Sequence, residues 1–271
     1  MPLKNLMVHL DRSGRTAARL ELAVALARRH QARLVGVFGQ RAQPEQVGVV
    51  ATWPSREYVE SVAAVRALFE TAVTGLPEAE WHDVNRGGDA EIIRTVTDYA
   101  RFFDLVVLGQ HNDQEAGALT PPELAEEVVG HSGRPVLLLP YVGDFPHVAR
   151  LPLIAWNNSR EAAHALNDAL PLIAGCDEAI LLSLDTRYED AKASCLLAAG
   201  QLARHGIKAR TEILTVDDVG IMDMLLNRVA DLGADLLVMG AHGQIGFPFV
   251  SRGAGTRHIM RYMTVPVLMS C

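Results

Sequence analysis

The chain repeats itself, and the repeat limits its fold more than any other feature does. FDLVVLGQH at 103–111 returns as ADLLVMGAH at 234–242, and RPVLLLP at 134–140 returns as VPVLMSC at 265–271, both at an offset of 131 residues. Across these segments eight positions are identical: Asp104, Leu105, Val107, Gly109, His111, Pro135, Val136 and Leu137, each with its counterpart. They cluster at two strand ends and one turn, where a shared backbone would demand them. The openings match as well: NLMVHLDRSGRTAARLELAVALA at 5–27 resembles LPLIAWNNSREAAHALNDALPLIA at 151–174, at an offset of 146. The first copy therefore carries about 15 extra residues, which fit in GQRAQPEQVGVVATWPSR at 39–56, read as a loop from its Gln, Gly and Pro. YVGDFPHVAR at 141–150 reads as a linker, giving domains over 1–145 and 146–271.

Each copy alternates as βαβαβαβαβ. The first predicts strands near 4–10, 33–38, 80–85, 104–109 and 135–140, with helices near 15–31, 56–75, 89–102 and 122–131. The second predicts strands near 152–156, 178–184, 208–215, 235–240 and 265–270, with helices near 160–174, 188–205, 218–232 and 254–263. DLVVLG and DLLVMG are continuously apolar and end on Gly, as strands buried on both faces do. The fold class is thus α/β: two tandem Rossmann-like units, each a five-stranded parallel sheet with helices on both faces. Such a sheet binds ligands at the carboxyl ends of its strands, where strand order reverses, and that rim includes the turns after the first and fourth strands.

Composition removes several function classes. Of the 271 residues 49% are hydrophobic and 21% charged, with a net charge of −7, which is a globular and not a disordered balance. No basic block tracks a phosphate backbone, so nucleic acid is not an expected partner. No run of about 18 apolar residues offers a membrane span, so no membrane partner is expected. MPLKNLMVHLDRSG turns polar too early for a signal-peptide core. The three cysteines, Cys176, Cys195 and Cys271, form no metal or redox pattern and suit a reducing compartment, hence a cytoplasmic expectation. Cys195 reads as a buried thiol, and Cys271 has nothing nearby to activate it.

The rim of the second copy reads GAHGQIGFPFVSRGAGTRHIM. Gly240 and Gly243 are two residues apart, and nine residues then lead to Gly253 at the start of the last helix. Glycines admit close backbone approach, and helix N-terminal amides suit phosphate. Thr256 and Ser251 could add hydroxyls. The other reading of these glycines is turn and cap geometry alone. Neither a P-loop nor a G-x-G-x-x-G is present, since the first turn reads LDRSG. His111 and His242 are equivalent, read as polar turn residues with a ligand-facing role as the alternative. His9 reads as a satisfied core group, Ser13 and Ser159 as caps, and Asp104 and Asp235 as ending the preceding helix-to-strand turns. Trp53 reads as packing its loop down, and Glu123, Glu126 and Glu127 as a solvated helix face. No nucleophile–base pair or metal-ligand spacing appears, so no catalytic residue and no metal site is assigned.

These residues resemble the universal stress protein (UspA) family. Its five-stranded unit, of the adenine nucleotide alpha hydrolase-like class, carries G-x2-G-x9-G-[ST] before the last helix. It also has an Asp after the first strand and a Pro-Val-Leu fifth strand. The second copy matches at Gly240, Gly243, Gly253 and the PVLM run from Pro266; the first matches at Asp11, Gly109 and the PVLL run from Pro135. The chain therefore looks like a tandem member. The resemblance implies a stress-response binding or signalling role, with ATP or ADP (and accompanying Mg2+) held in the second domain only and at most slow hydrolysis. The implied nucleotide residues are Asn157, Gly240, His242, Gly243, Gly253, Ala254, Gly255 and Thr256. Ala254 replaces the family's Ser/Thr, and Asn157 its Asp. In the first copy Asn112, Pro122 and Glu123 fall on the last three motif positions, which makes that copy non-binding; Pro122 lacks an amide hydrogen and Glu123 repels phosphate. The resemblance also implies pairing of the two fifth strands in an intramolecular pseudo-dimer, and leaves a homodimer or another protein partner open. The rival reading is a protein-interaction module of the same fold that binds no nucleotide; a third, an enzyme with a small-molecule site between the domains, lacks a converging acid, base or metal set.

Overall fold

The apolar runs become buried strands, and the Ala/Leu-rich stretches between them become helices. A computed structural model describes residues 2–42, 45–47, 50–52, 54–84, 88–115, 118–215, 220–242 and 253–271. The chain divides into two compact units, Pro2–Arg134 and Pro135–Cys271.

In Pro2–Arg134 the strands β1 (Asn5–Leu10), β2 (Arg33–Phe38), β5 (Ala79–Asp83) and β6 (Leu105–Gly109) lie in the order β6-β1-β2-β5. All are parallel, with Leu6 opposite both Leu34 and Leu105. The helices are α1 (Thr16–His30), α2 (Arg56–Ala72), α3 (Asp89–Ala100) and α4 (Leu124–His131); α1 packs with α2, and α3 with α4. Residues 39–56, read as a loop, contain a short antiparallel ladder, β3 (Glu45–Val47) with β4 (Val50–Thr52). Val-rich sequence on both sides of a Gly favours that pairing over an open loop. Trp53 lies outside the described residues.

In Pro135–Cys271 the strands are β7 (Val136–Leu139), β8 (Pro152–Ala155), β9 (Ala179–Asp185), β10 (Ala209–Thr215), β11 (Leu236–Gly240) and β12 (Val267–Ser270). Their order is β10-β9-β8-β11-β12-β7. The first five run parallel, while β7 meets β12 antiparallel, with Leu137 opposite Leu268. The helices are α5 (Arg160–Ile173), α6 (Tyr188–Arg204), α7 (Ile221–Asp231) and α8 (Ala254–Tyr262). The order β11-β8-β9-β10 repeats β6-β1-β2-β5 of the other unit. The chain leaves β8 toward β9 and β10, then returns to β11 on the other side, so the crevice at the β8/β11 switch point is where a ligand would sit.

One structural device recurs in both units. Asp104 accepts from the backbone N–H groups of Lys4 (2.7 Å) and Asn5 (2.9 Å). Asp235 does the same for Arg150 (2.8 Å) and Leu151 (2.9 Å). Each aspartate thus ties the start of its fourth strand to the start of the first, a longer-range role than ending its local turn.

Candidate functional site

At the switch point of Pro135–Cys271 lies a cavity of about 510 Å3. Its inner wall is apolar, formed in part by Leu184, Ile221, Met222, Leu225 and Met239. Its rim is polar and includes Asn157, Glu161, Asp185, Arg187 and Thr256. A concave pocket with an apolar body and a few polar groups is the usual form of a small-molecule site.

The ends of three strands set the rim. After β8, the Asn157 side-chain oxygen accepts from Ser159 N–H (3.2 Å) and from the Ser159 hydroxyl (2.7 Å). Ser159 in turn caps α5, its hydroxyl oxygen accepting from Ala162 N–H at 3.1 Å. Asn158 adopts a positive φ of 58° within this turn, which a short polar side chain tolerates better than most. At the end of β11, α5 passes so close to Gly240 that a Cβ there would lie 2.5 Å from the Glu161 carbonyl carbon. Only glycine fits.

The start of α8 completes the rim. Gly253 has φ +83°, and a Cβ on it would lie 2.9 Å from Nδ1 of His242. His242 itself has φ 54°, and its N–H donates to Thr256 Oγ1 at 2.9 Å. Thr256 is buried and lines the cavity. Its oxygen accepts from His242, and its hydroxyl hydrogen can still donate to an acceptor.

Of the residues implied for the nucleotide, Asn157, Gly240, Gly253, Gly255 and Thr256 line the cavity. His242 packs beside Gly253 and anchors the turn. Ala254 is the first residue of α8. Gly243 and Ser251 lie outside the described residues. Sequence reading did not single out Glu161, Asp185, Arg187 or the α7 wall. One signal was available: Asp185 ends the apolar run of the second strand, a position that holds a ligand-facing acid in many doubly wound sheets.

The matching strand ends of Pro2–Arg134 hold a buried ion pair, and a cavity of about 470 Å3, lined in part by Asp11, Ser13, Thr16, Glu57 and Val65, lies between the β1–α1 turn and α2. Asp11 and Arg19 are both buried, with side-chain exposures of 8% and 4%, and pair at 2.5 Å. Arg19 also donates to the His9 carbonyl (3.1 Å) and to Thr16 Oγ1 (2.9 Å). Its guanidinium lies against Gly109, where a Cβ would be 2.4 Å from Nη1. The aligned position in the other copy is Ala165. The chain after β6 closes over this cluster: Thr120 donates to Asp11 Oδ2 at 2.7 Å, and the Leu119 carbonyl accepts from Arg41 N–H at 2.8 Å. Ser13, read as a cap, donates its hydroxyl to Asp11 at 2.5 Å instead, and no side chain caps α1.

The electrostatics of this cluster follow from burial. Burial alone would raise the Asp11 carboxyl, but the Arg19 guanidinium, His9 and the Ser13 and Thr16 hydroxyls hold it well below the usual carboxylate range. Burial pushes His9 below its ordinary value, Asp11 opposing the shift and Arg19 adding to it. His9 Nε2 is bonded to the Gly39 carbonyl at 2.7 Å, so His9 is a core group. Cys195 is a buried thiol whose pKa burial raises, with Ser183 opposing.

Among the described residues no group of three or more His, Cys, Asp or Glu could hold a metal ion. No helix there is long and apolar enough to cross a membrane. The residues present do suit the nucleoside part of a nucleotide. The cavity has the volume and the apolar wall suits a planar base, while the space a Cβ would need at Gly240 and Gly253 is taken by α5 and by His242 and Arg257.

Fold and crevice together define a doubly wound α/β protein with a cavity at its topological switch point. Over nearly its whole length the chain is similar to a universal stress protein from Archaeoglobus fulgidus DSM 4304, at 16% identity and a TM-score of 0.69, covering 98% of this chain and 95% of that one. It is also similar to a functionally unknown protein from Pseudomonas aeruginosa PAO1, at 17% identity and a TM-score of 0.60, covering 99% of this chain and 92% of that one. These likenesses show the fold. No curated protein matches the sequence at a significant level. Residues 159–270 match the universal stress protein family.

Proposed function

We propose that the chain is a cytoplasmic stress-response binding protein that holds an adenine nucleotide, ATP or ADP, in the Pro135–Cys271 unit alone. The observation that carries this reading is the contrast between the two copies. One has a cavity of about 510 Å3 at its switch point. The other has the Asp11–Arg19 pair and Thr120 at the matching strand ends, and its cavity of about 470 Å3 lies to one side, against α2. The base would enter the apolar wall, and Gly240, Gly253 and the start of α8 would face the ribose and phosphates. Among the described lining residues there is no Cys, His or Lys, which favours binding over catalysis.

Ala155 lies at the mouth end of β8, half-buried, and lines the cavity. Ala155→Phe should fill part of that space. Titration of this variant with Mg-ATP and ADP should show affinity weakened about tenfold or more, with little change in thermal midpoint. Unchanged affinity in a folded variant would remove the site assignment. The rival reading, a protein-interaction module, draws support from Ala254 and Asn157, which depart from the family's hydroxyl and acid. An absence of heat with either nucleotide at millimolar concentration would favour it.

A further inference from the structure

The outer face of α6 carries apolar side chains that the fold does not require. The helix packs on β9 and β10 and buries Ala191, Cys195, Ala198 and Leu202. On the opposite side Leu196 and Leu197 are 56% and 79% exposed. At 3.6 residues per turn, Glu189, Ala193, Gly200 and Arg204 share their stripe, and all four are exposed. The matching helix α2 shows what the fold alone asks for. Aligned on their buried positions, Tyr58, Val65 and Phe69 with Ala191, Ala198 and Leu202, the two helices set Ala63 and Ala64 in the places of Leu196 and Leu197. Gly200 stands within α6 with open space where a Cβ would lie, so no packing inside the chain calls for a glycine that weakens the helix. Among the described residues neither Glu189 nor Arg204 has an ion-pair partner.

We propose that this face joins two molecules of the chain, their α6 helices packed antiparallel across a two-fold axis. The stripe is self-complementary about its own midpoint, between Leu196 and Leu197. With the axis there, Leu196 meets Leu197 of the second molecule, Ala193 meets Gly200, and Glu189 meets Arg204, each pair occurring twice by symmetry. The small residues let the helices approach closely, and the leucines exclude water at the centre. Opposite charges meet at both ends, and no like charges face each other along α6 in this register. The contact uses no residue that lines the cavity. One helix from each molecule gives an interface at or below the roughly 1,200 Å2 of the smaller stable complexes, so the dimer is weak, with a Kd on the order of 10 µM.

The test is sedimentation velocity of the purified protein over about 1 µM to about 300 µM. The native protein should pass from its 29.4 kDa monomer toward twice that mass. Leu197→Lys should raise the dimer Kd about tenfold or more. Arg204→Glu sets two carboxylates against each other at both ends and should raise Kd about threefold or more. Adding Glu189→Arg to that variant restores opposite charges and should return Kd to within about twofold of the native value. Circular dichroism and thermal melting check folding, which these solvent-facing substitutions leave intact. A protein that stays monomeric throughout the range overturns the proposal and leaves the face to a different partner. A dimer unaffected by folded Leu197→Lys overturns it by placing the contact elsewhere. A dimer weakened by Leu197→Lys but not rescued by the charge exchange overturns the antiparallel pairing.

Discussion

Arg19 and Asp11 place two opposite charges in the interior of the first copy. Both charges have left water, so neither can lose its partner cheaply: breaking a buried pair by removing one member costs about 3–5 kcal/mol. Arg19→Ala should lower the urea-unfolding free energy of the Pro2–Arg134 unit by about that amount; a loss below about 1 kcal/mol would mean the pair is solvated in solution. His9, next to this pair, adds a pH dependence. Its folded pKa is lowered, chiefly by burial, so between that value and about 6.5 the unfolded chain holds the extra proton. Stability should therefore fall as pH drops below about 6.5, by up to about 1.4 kcal/mol per pH unit from this group. Asp11, with its lowered pKa, adds a further loss below about pH 4. Urea midpoints at pH 7 and pH 5 should converge in His9→Gln relative to the native protein; equal slopes in both would contradict the assignment. The sequence showed His9 as a core group. Arg19 was invisible there, because nothing in an amphipathic helix marks which arginine turns inward.

Among the elements, α5 carries the site. Its N-terminus rests on Gly240, its cap is Ser159, and that cap is held by Asn157. Ser159→Ala removes the cap and should cost about 1 kcal/mol in thermal or urea unfolding. Because Ser159 also holds Asn157, nucleotide affinity should fall with it; a stability loss without any affinity change would separate the cap from the rim. The aligned Ser13 bonds to Asp11 as Ser159 bonds to Asn157 but caps nothing; Gly14, Arg15 and Thr16 follow it where Arg160, Glu161 and Ala162 follow Ser159. A shared serine in different surroundings thus gives different local chemistry. The hairpin of β3 and β4 was missed for a related reason: Gln, Gly and Pro around it read as loop, while its short valine-rich pairing shows only once the strands meet. The long strands and helices were legible because their apolar runs and helical periods are strong and their boundaries carry Gly, Asp or Ser.

At the scale of the whole chain, a duplicated sequence has produced one unit with a cavity at its switch point and one whose matching strand ends hold a buried ion pair, with its cavity displaced toward α2. The repeat and the family resemblance located the rim at the ends of the first and fourth strands, and five of the implied residues line the cavity there. They did not locate the acids. Asp185 and Glu161 lie outside the glycine pattern, and their meaning depends on a cavity wall assembled from β9, α5 and α7. The direct measurement is binding stoichiometry: titrate the 271-residue chain with adenosine, and repeat with Mg-ATP. About one site per chain, lost in Ala155→Phe and kept in a folded Thr120→Ala, is the result expected if the second copy alone binds. Two equivalent sites, or a single site that survives Ala155→Phe, would contradict it.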